Sequence, residues 1–127
     1  MTAWTSDELT TIGATDELQI ASQRHDGTLR NPVIIWVVRH GDDLYVRSVN
    51  GRTAAWFRGT QVRHEGRIWA GGVEKDVAFV DADHDIDDEL DAAYRTKYRR
   101  EDARYVDAIV APVARAATIK LVPRATT

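Results

Sequence analysis

The chain contains no cysteine, which excludes disulfides, a thiolate nucleophile and any cysteine-based metal site. That composition suits a reducing compartment, and a cytoplasmic protein is expected. No apolar run approaches the roughly 20 residues that a membrane-spanning helix needs; the longest is Val33 to Val38. The first residues, Met-Thr-Ala-Trp-Thr-Ser-Asp-Glu, carry no basic region followed by an apolar one, so no signal peptide is expected. Membrane partners are therefore set aside. Positive charge is not in excess either. The formal net charge of −3 argues against nucleic acid as a general partner. No internal repeat, low-complexity tract or Pro/Gly/Ser linker interrupts the 127 residues, so one domain spanning 1–127 is expected, long enough to bury a core without staples.

Motifs of the common catalytic and metal-binding kinds are missing as well. There is no Gly-x-Ser-x-Gly and no Gly-rich phosphate loop,. The histidines at 25, 40, 64 and 84 show no His-x-His or His-x-x-x-His spacing, which leaves no zinc pattern. Asp81-x-Asp83-x-Asp85 resembles the start of a calcium loop, but Ile86 stands where that loop needs Gly and Ala92 where it needs the bidentate Glu,. No metal site is expected. The acidic run, seven carboxylates between Asp81 and Asp91, reads instead as the charged first turn of a helix, where the helix dipole favours anions, with Asp85 as its N-cap.

What is present is an alternation of short strands and helices. Thr5 and Glu8 form a capping box, with Trp4 and Leu9 at the staple positions, so a helix is expected from Ser6 to Gly13. Glu17 to Arg24 alternates as a strand, and Asp26-Gly27 is a turn. Val33 to Arg39 is continuous and β-branched, which predicts a central strand buried on both faces. Gly41-Asp42 turns into a strand over Asp43 to Val49. A helix over Thr53 to Arg63 follows, then strands Gly66 to Gly71 and Val73 to Val80. Ile86, Leu90, Ala93, Tyr94 and Lys97 share one face of the next helix. A further helix, Asp102 to Ala111, is stopped by Pro112, and a strand over Thr118 to Val122 closes the chain. The expected class is α+β, mainly β, with about six antiparallel strands curled into a small barrel and helices packed outside.

The stretch Arg47 to Arg58 concentrates the features of a binding site. A strand end, a turn at Asn50-Gly51 and a helix start gather free backbone N–H groups, which favour anions. Arg47, Arg52 and Arg58 accompany them, and Trp56 and Phe57 follow. Phosphate beside an aromatic wall is what a nucleotide-like cofactor requires. Each feature also has a plainer reading. Asn-Gly is a hairpin signal with no ligand. Trp56 and Phe57 read first as core or interface packing and only second as ring-stacking groups. Arg47 reads as an exposed strand arginine paired with a carboxylate.

The order of these motifs resembles the flavin-binding split β-barrel superfamily, in particular its deazaflavin-dependent nitroreductase branch and small uncharacterised bacterial relatives. The matching segments are Ala21 to Arg30, with its basic turn; the apolar strand Pro32 to Arg39; the hairpin Gly-Asp-Asp-Leu-Tyr-Val from Gly41; the Gly loop and Ala-Trp-aromatic helix start within Ser48 to Phe57; and Ile-x-Leu-x-Pro-Arg over Ile119 to Arg124. The loop between Ser48 and Trp56 is shorter than in those nitroreductases, and Val49 replaces a family Lys, for which Arg52 could substitute. The resemblance implies an FMN- or deazaflavin-dependent reductase of a small organic acceptor, or a non-enzymatic cofactor-binding or dimerisation module of the same fold. It implies a phosphate grip of Ser48, Asn50, Gly51 and Arg52, with Arg30 and Arg47 converging on it. The wall would come from Ile35, Trp36, Val37 and Trp56. It places substrate-side aromatics on the last helices, making Tyr94, Tyr98 and Tyr105 candidates for substrate contact or proton donation, and it implies a homodimer.

Overall fold

The computed structural model describes residues 3–125. It opens with helix α1 (Ser6–Ala14), whose N-cap Thr5 and third residue Glu8 form the expected reciprocal capping box,. Trp4 and Leu9 are both buried in one apolar cluster, and the Trp4 indole N–H donates to the Leu121 carbonyl at 3.0 Å. The rest of the first half is β1 (Leu18–Ser22), β2 (Val33–Ile35), β3 (Val37–His40), β4 (Asp43–Arg47), a 3-10 turn at Gly51–Thr53 and α2 (Ala55–Arg63). The second half is β5 (Glu65–Ala70), β6 (Val73–Asp81), a 3-10 turn at His84–Ile86, α3 (Asp87–Lys97), α4 (Ala103–Ile109), α5 (Pro112–Arg115) and β7 (Thr118–Pro123).

All strand pairs are antiparallel, in the order β2-β1-β5-β6-β7-β4-β3. The two ends of that order are consecutive in sequence. The apolar stretch from Val33, read as one strand, is therefore two half-strands that break at Trp36 and pair with opposite ends of the sheet. This bend closes the sheet into a split barrel and accounts for seven strands rather than about six. It also corrects the expectation of burial on both faces, which holds for Val37 and Val38 only; Ile34 on the first half is exposed.

Strand alternation sorts the side chains into two cores. Val37, Leu44 and Val46 point into the barrel with Leu18, Ile68, Phe79, Ile119 and Leu121. Val38 and Tyr45 point the other way, into a second cluster with Leu90, Tyr94, Tyr98, Val106 and Ile109 of α3 and α4. Full burial of such side chains is worth about 1.5–3 kcal/mol each, so both helices are held by the outer face of β3 and β4.

Two boundaries differ from expectation for local reasons. Asp83, not Asp85, accepts the capping hydrogen bond, at the 3-10 turn before α3 (Asp85 N–H to Oδ1, 2.9 Å). Asp87, Asp88 and Glu89 still occupy the first turn of α3. Pro112 does not merely stop a helix. It opens α5 at its first position, where its missing N–H costs nothing.

Among the outward side chains of β4 is a charged one, Arg47, and it is buried. Its Nε donates to Thr118 Oγ1 at 3.0 Å. Nη1 donates to Asp91 Oδ1 at 2.5 Å and to the Ile109 carbonyl at 3.1 Å. Nη2 donates to the Asp87 carbonyl at 3.2 Å. The other Asp91 oxygen receives Arg115 of α5 (Nε, 2.9 Å). Burial alone would raise the Asp91 carboxyl, but the hydrogen bonds from Arg115 and Arg47 outweigh it and hold the group below its ordinary value. Because the folded value lies below the unfolded one, the pair contributes stability at pH above the usual carboxylate range, about 4. That contribution is lost as pH falls through the lowered folded value.

Removing one partner of a buried pair strands the other charge. Asp91→Asn is therefore expected to lower unfolding stability by about 3 kcal/mol at neutral pH, and to flatten the loss of stability between pH 5 and pH 2. Urea unfolding across that range checks both; a variant within 1 kcal/mol of the parent would refute the role given to the pair.

Candidate functional site

The bend between β2 and β3 frees one peptide from the sheet ladder, and its polar groups must be met elsewhere. The end of α3 meets them. The Val37 N–H donates to the Tyr98 hydroxyl at 3.1 Å, and that hydroxyl donates to the Asp16 carbonyl at 2.7 Å. The Lys97 ammonium donates to the carbonyls of Thr15 and Val37, both at 2.6 Å. Burial pulls Lys97 down to about 8, against the opposing charge of Asp16. Trp36, at the bend itself, lies flat on the Tyr98 ring with centroids 4.0 Å apart and planes 5° from parallel. The bend thus presents an indole locked in place from behind.

In front of Trp36 opens a cleft of about 690 Å³, within the size range of small-molecule sites. Its walls are Val33, Ile35, Trp36, Val49, Trp56, Tyr105 and Ile109. Ile34, Asn50 and three carboxylates, Asp16, Glu17 and Glu101, line it too. Arg47 reaches it as well, but its guanidinium is fully enclosed and bonded to Asp91, so it brings no free charge. Burial, and then the charges of Asp16, Glu101 and Glu17, push the Tyr98 phenol well above its ordinary value, against the opposing Val37 hydrogen bond.

Of the residues singled out from sequence, Ile35, Trp36, Arg47, Asn50, Trp56 and Tyr105 line this cleft. The others lie apart. Val37 points into the barrel core. Tyr94 is fully buried beside the Arg47 guanidinium, 5.4 Å from ring centre to Cζ, and burial raises its phenol far above the usual range. Tyr98 is buried and its hydroxyl belongs to the bend. Neither phenol opens onto the cleft as a proton donor, and only Tyr105, exposed at the rim, does.

The turn at 48–52 is organised around α5. The Gly51 N–H donates to the Ser48 carbonyl at 2.9 Å. Gly51 has φ of +81°, and a Cβ there would fall 2.6 Å from Val113 Cγ1. Ser48 is buried with its Oγ unpartnered. Arg52 turns away, donating to the Ala116 carbonyl at 3.1 Å and lying 3.9 Å from Asp81. Arg47 is not the exposed strand arginine that its position suggests, because α3 and α4 cover it.

Cationic character gathers elsewhere. A second depression of about 290 Å³ shares Val33 and Trp56 with the cleft, and is lined further by Ser22, Arg24, Arg30, Asn31 and Thr60. Arg24 is tied to the Leu29 carbonyl at 2.7 Å. Arg30 makes no side-chain hydrogen bond or ion pair among the described residues, and its Nε is buried without a partner. Its stem crosses Gly59 of α2, where a Cβ would lie 2.5 Å from Ser22 Oγ and 3.0 Å from Arg30 Nε. Sequence reading missed Ser22, Gly59 and Thr60 as site residues. The available signal was a glycine inside a helix, which costs about 1 kcal/mol against alanine and so marks a close approach. Among the described residues, no three His, Asp or Glu side chains gather as a metal site, and no helix is long and apolar enough to cross a membrane.

The model of a bacterial family described as "Uncharacterized protein conserved in bacteria (DUF2255)" matches residues 8–121, and the chain belongs to that family. No curated protein matches it. Among solved structures, it is similar to a candidate pyridoxamine 5'-phosphate oxidase from Listeria innocua, at TM-score 0.64 and 15% identity over 92% of this chain and 90% of that one. It is also similar to HutZ, the heme storage protein from Vibrio cholerae, at 0.62 and 14% over 95% and 91%. An F420 reductase follows at 0.53 and 16% over 91% and 92%. At these identities the likeness establishes the split-barrel fold, and it agrees with the fold expected from the motifs.

Tyr98→Phe keeps the ring under Trp36 but removes the hydroxyl from the bend. It is expected to cost about 1–3 kcal/mol, because the Val37 N–H is left buried and unmet. Amide exchange at Val37 should accelerate relative to that at Val46. Unchanged exchange at Val37 would show that the hydroxyl does not hold the bend.

Proposed function

We propose that this member of the bacterial family binds a flat, phosphate-bearing ring cofactor of the FMN or deazaflavin type and acts as an oxidoreductase on a small organic acceptor. The observation that carries the reading is the unpartnered guanidinium of Arg30, which shares the Trp56 wall with the large cleft. The Nε is enclosed against Gly59, so the terminal Nη groups, which have no hydrogen-bond partner among the described residues, are the donors that a phosphate oxygen would meet. The fork of a guanidinium suits phosphate oxygens, and its hydrogen bonds to them are charge-assisted.

The residues fit such a group. Arg30 and Arg24, with Ser22 and Thr60 beside them, would hold the phosphate. Gly59 leaves the space that a Cβ would close. Val33, Ile35, Trp36 and Trp56 would form the apolar wall for the ring. A bound flavin or deazaflavin supplies the hydride transfer. The chain contributes grip, orientation and the exclusion of water, with Tyr105 at the open rim as the accessible phenol. The turn at 48–52 offers less than its sequence suggests, since the Gly51 N–H and the Arg52 guanidinium have partners inside the fold.

A second reading, binding without turnover, is favoured by the enclosed phenols of Tyr94 and Tyr98, which leave a single candidate proton donor at the cleft. Steady reduction of quinone or nitro acceptors by the cofactor-loaded protein would exclude it.

The test is cofactor binding. Each tenfold excess of free ligand over its dissociation constant should add about 1.4 kcal/mol of stability, so saturating FMN or deazaflavin coenzyme should raise the melting temperature visibly. Arg30→Gln is expected to weaken FMN at least about tenfold, the equivalent of a lost charge-assisted hydrogen bond, and to leave riboflavin unaffected. Arg52→Gln should behave as the parent. Gly59→Ala should weaken FMN as well, despite its better helix propensity. No shift with either cofactor would reject the reading, and loss at Arg52 rather than Arg30 would return the grip to the 48–52 turn.

A further inference from the structure

The cleft and the depression beside it are opposite in charge. Arg24 and Arg30 line the smaller space. Asp16, Glu17 and Glu101 line the larger one. Among the described residues, none of these three carboxylates is within ion-pair distance of a cation in the fold. The one cation in the cleft lining, Arg47, is enclosed and paired with Asp91. Lys97, Arg99 and Arg100 border Asp16 and Glu101 from a separate depression on the other side and do not line the cleft. Lys97 is bonded there to two carbonyls, and Arg99 to the Thr96 carbonyl at 2.9 Å.

Aromatic side chains share this lining. Trp36 is fixed on Tyr98, Trp56 stands across the cleft lining, and Tyr105 is exposed at the rim. Indole is the side chain that best attracts a cation to its face, by its quadrupole. Three carboxylates without an ion-pair partner, of which Glu17 alone does not also face Lys97, Arg99 and Arg100, make such walls attract positive charge and repel anions.

We propose that this acidic, aromatic-walled cleft selects a flat cationic molecule, such as an N-alkylated heteroaromatic ring or an aromatic amine protonated at neutral pH, as the small molecule acted on or carried. The inference rests on the reading of the cleft as the ligand site and names the class of its second ligand. The anionic tail of the cofactor and the cationic substrate would then occupy the two neighbouring spaces, with Trp56 and Val33 between them. The carboxylates set charge preference, and the aromatic walls set flatness.

The probes are N-methylquinolinium, neutral 1-methylnaphthalene and anionic 2-naphthoate, similar in shape and different in charge. Each is titrated by quenching of tryptophan fluorescence in low salt. The cation is expected to bind about tenfold more tightly than the anion, with the neutral probe between. Raising the salt to about 1 M should compress the ratio, since exposed charges are screened over about 3 Å there. Glu17→Gln with Glu101→Gln should reduce the ratio severalfold; both side chains are exposed, so the fold should survive, as circular dichroism verifies. Equal affinity for the three probes, an anion preference, no binding of any probe, or an unchanged ratio in the double variant would overturn the proposal. An FMN thermal shift measured alongside separates the two readings. FMN binding without cation preference defeats only this inference. Cation preference without FMN binding defeats only the cofactor reading.

Discussion

Taking a guanidinium out of water is expensive unless its donors and its charge are met inside, and Arg47 imposes that requirement on everything around it. It sits on the face of β4 that α3 and α4 cover. Its partners come from β7, α3 and α4, and Asp91 in turn holds Arg115 of α5. The helical layer is therefore attached to the barrel by more than the apolar contacts of Val38, Tyr45, Leu90 and Ile109. Those contacts are non-directional and would tolerate a helix sliding along the sheet. The guanidinium fork would not. The position of α3 then fixes the place of its last residues, Lys97 and Tyr98, against the bend at Trp36.

That bend joins fold to site. A strand that serves both ends of one sheet must turn sharply, and the peptide at the turn loses its ladder partners. Tyr98 and Lys97 supply replacements, and Tyr98 also supports the face of Trp36. The residues that close the barrel are thus the ones that give the cleft its rigid back wall. Tyr98 contributes as a support, since its phenol is bonded to Val37 and Asp16 while its ring backs the indole.

The electrostatics of the cleft follow from which charges the fold has already used. Arg47, Arg52 and Lys97 are bound to internal partners, so the two neighbouring spaces take their character from the charges left over. These are Arg30 on one side of Trp56, and Glu17 and Glu101, with Asp16, on the other. A count of arginines near the glycine turn cannot reveal this division, because identical side chains differ only in whether the fold has met their charge.

By itself the sequence determined most of the elements and their order: the capping box at Thr5, the two-faced burial of Val37 and Val38, the acidic first turn of α3, and the motifs that mark a split barrel. These are local signals, written in period and in cap chemistry. It also identified Trp36, Trp56, Asn50, Ile35 and Tyr105, which meet in the cleft. Tertiary structure alone decided that Val33 to Arg39 divides at Trp36, that Pro112 opens a helix, and that Tyr94 and Tyr98 turn inward. It alone buried Arg47 and left Arg30 without a partner. The reason is physical: a strand's bend and an arginine's role depend on partners about 40 to 70 residues away, such as Asp87, Asp91 and Thr118 for Arg47, and no local pattern encodes those distances.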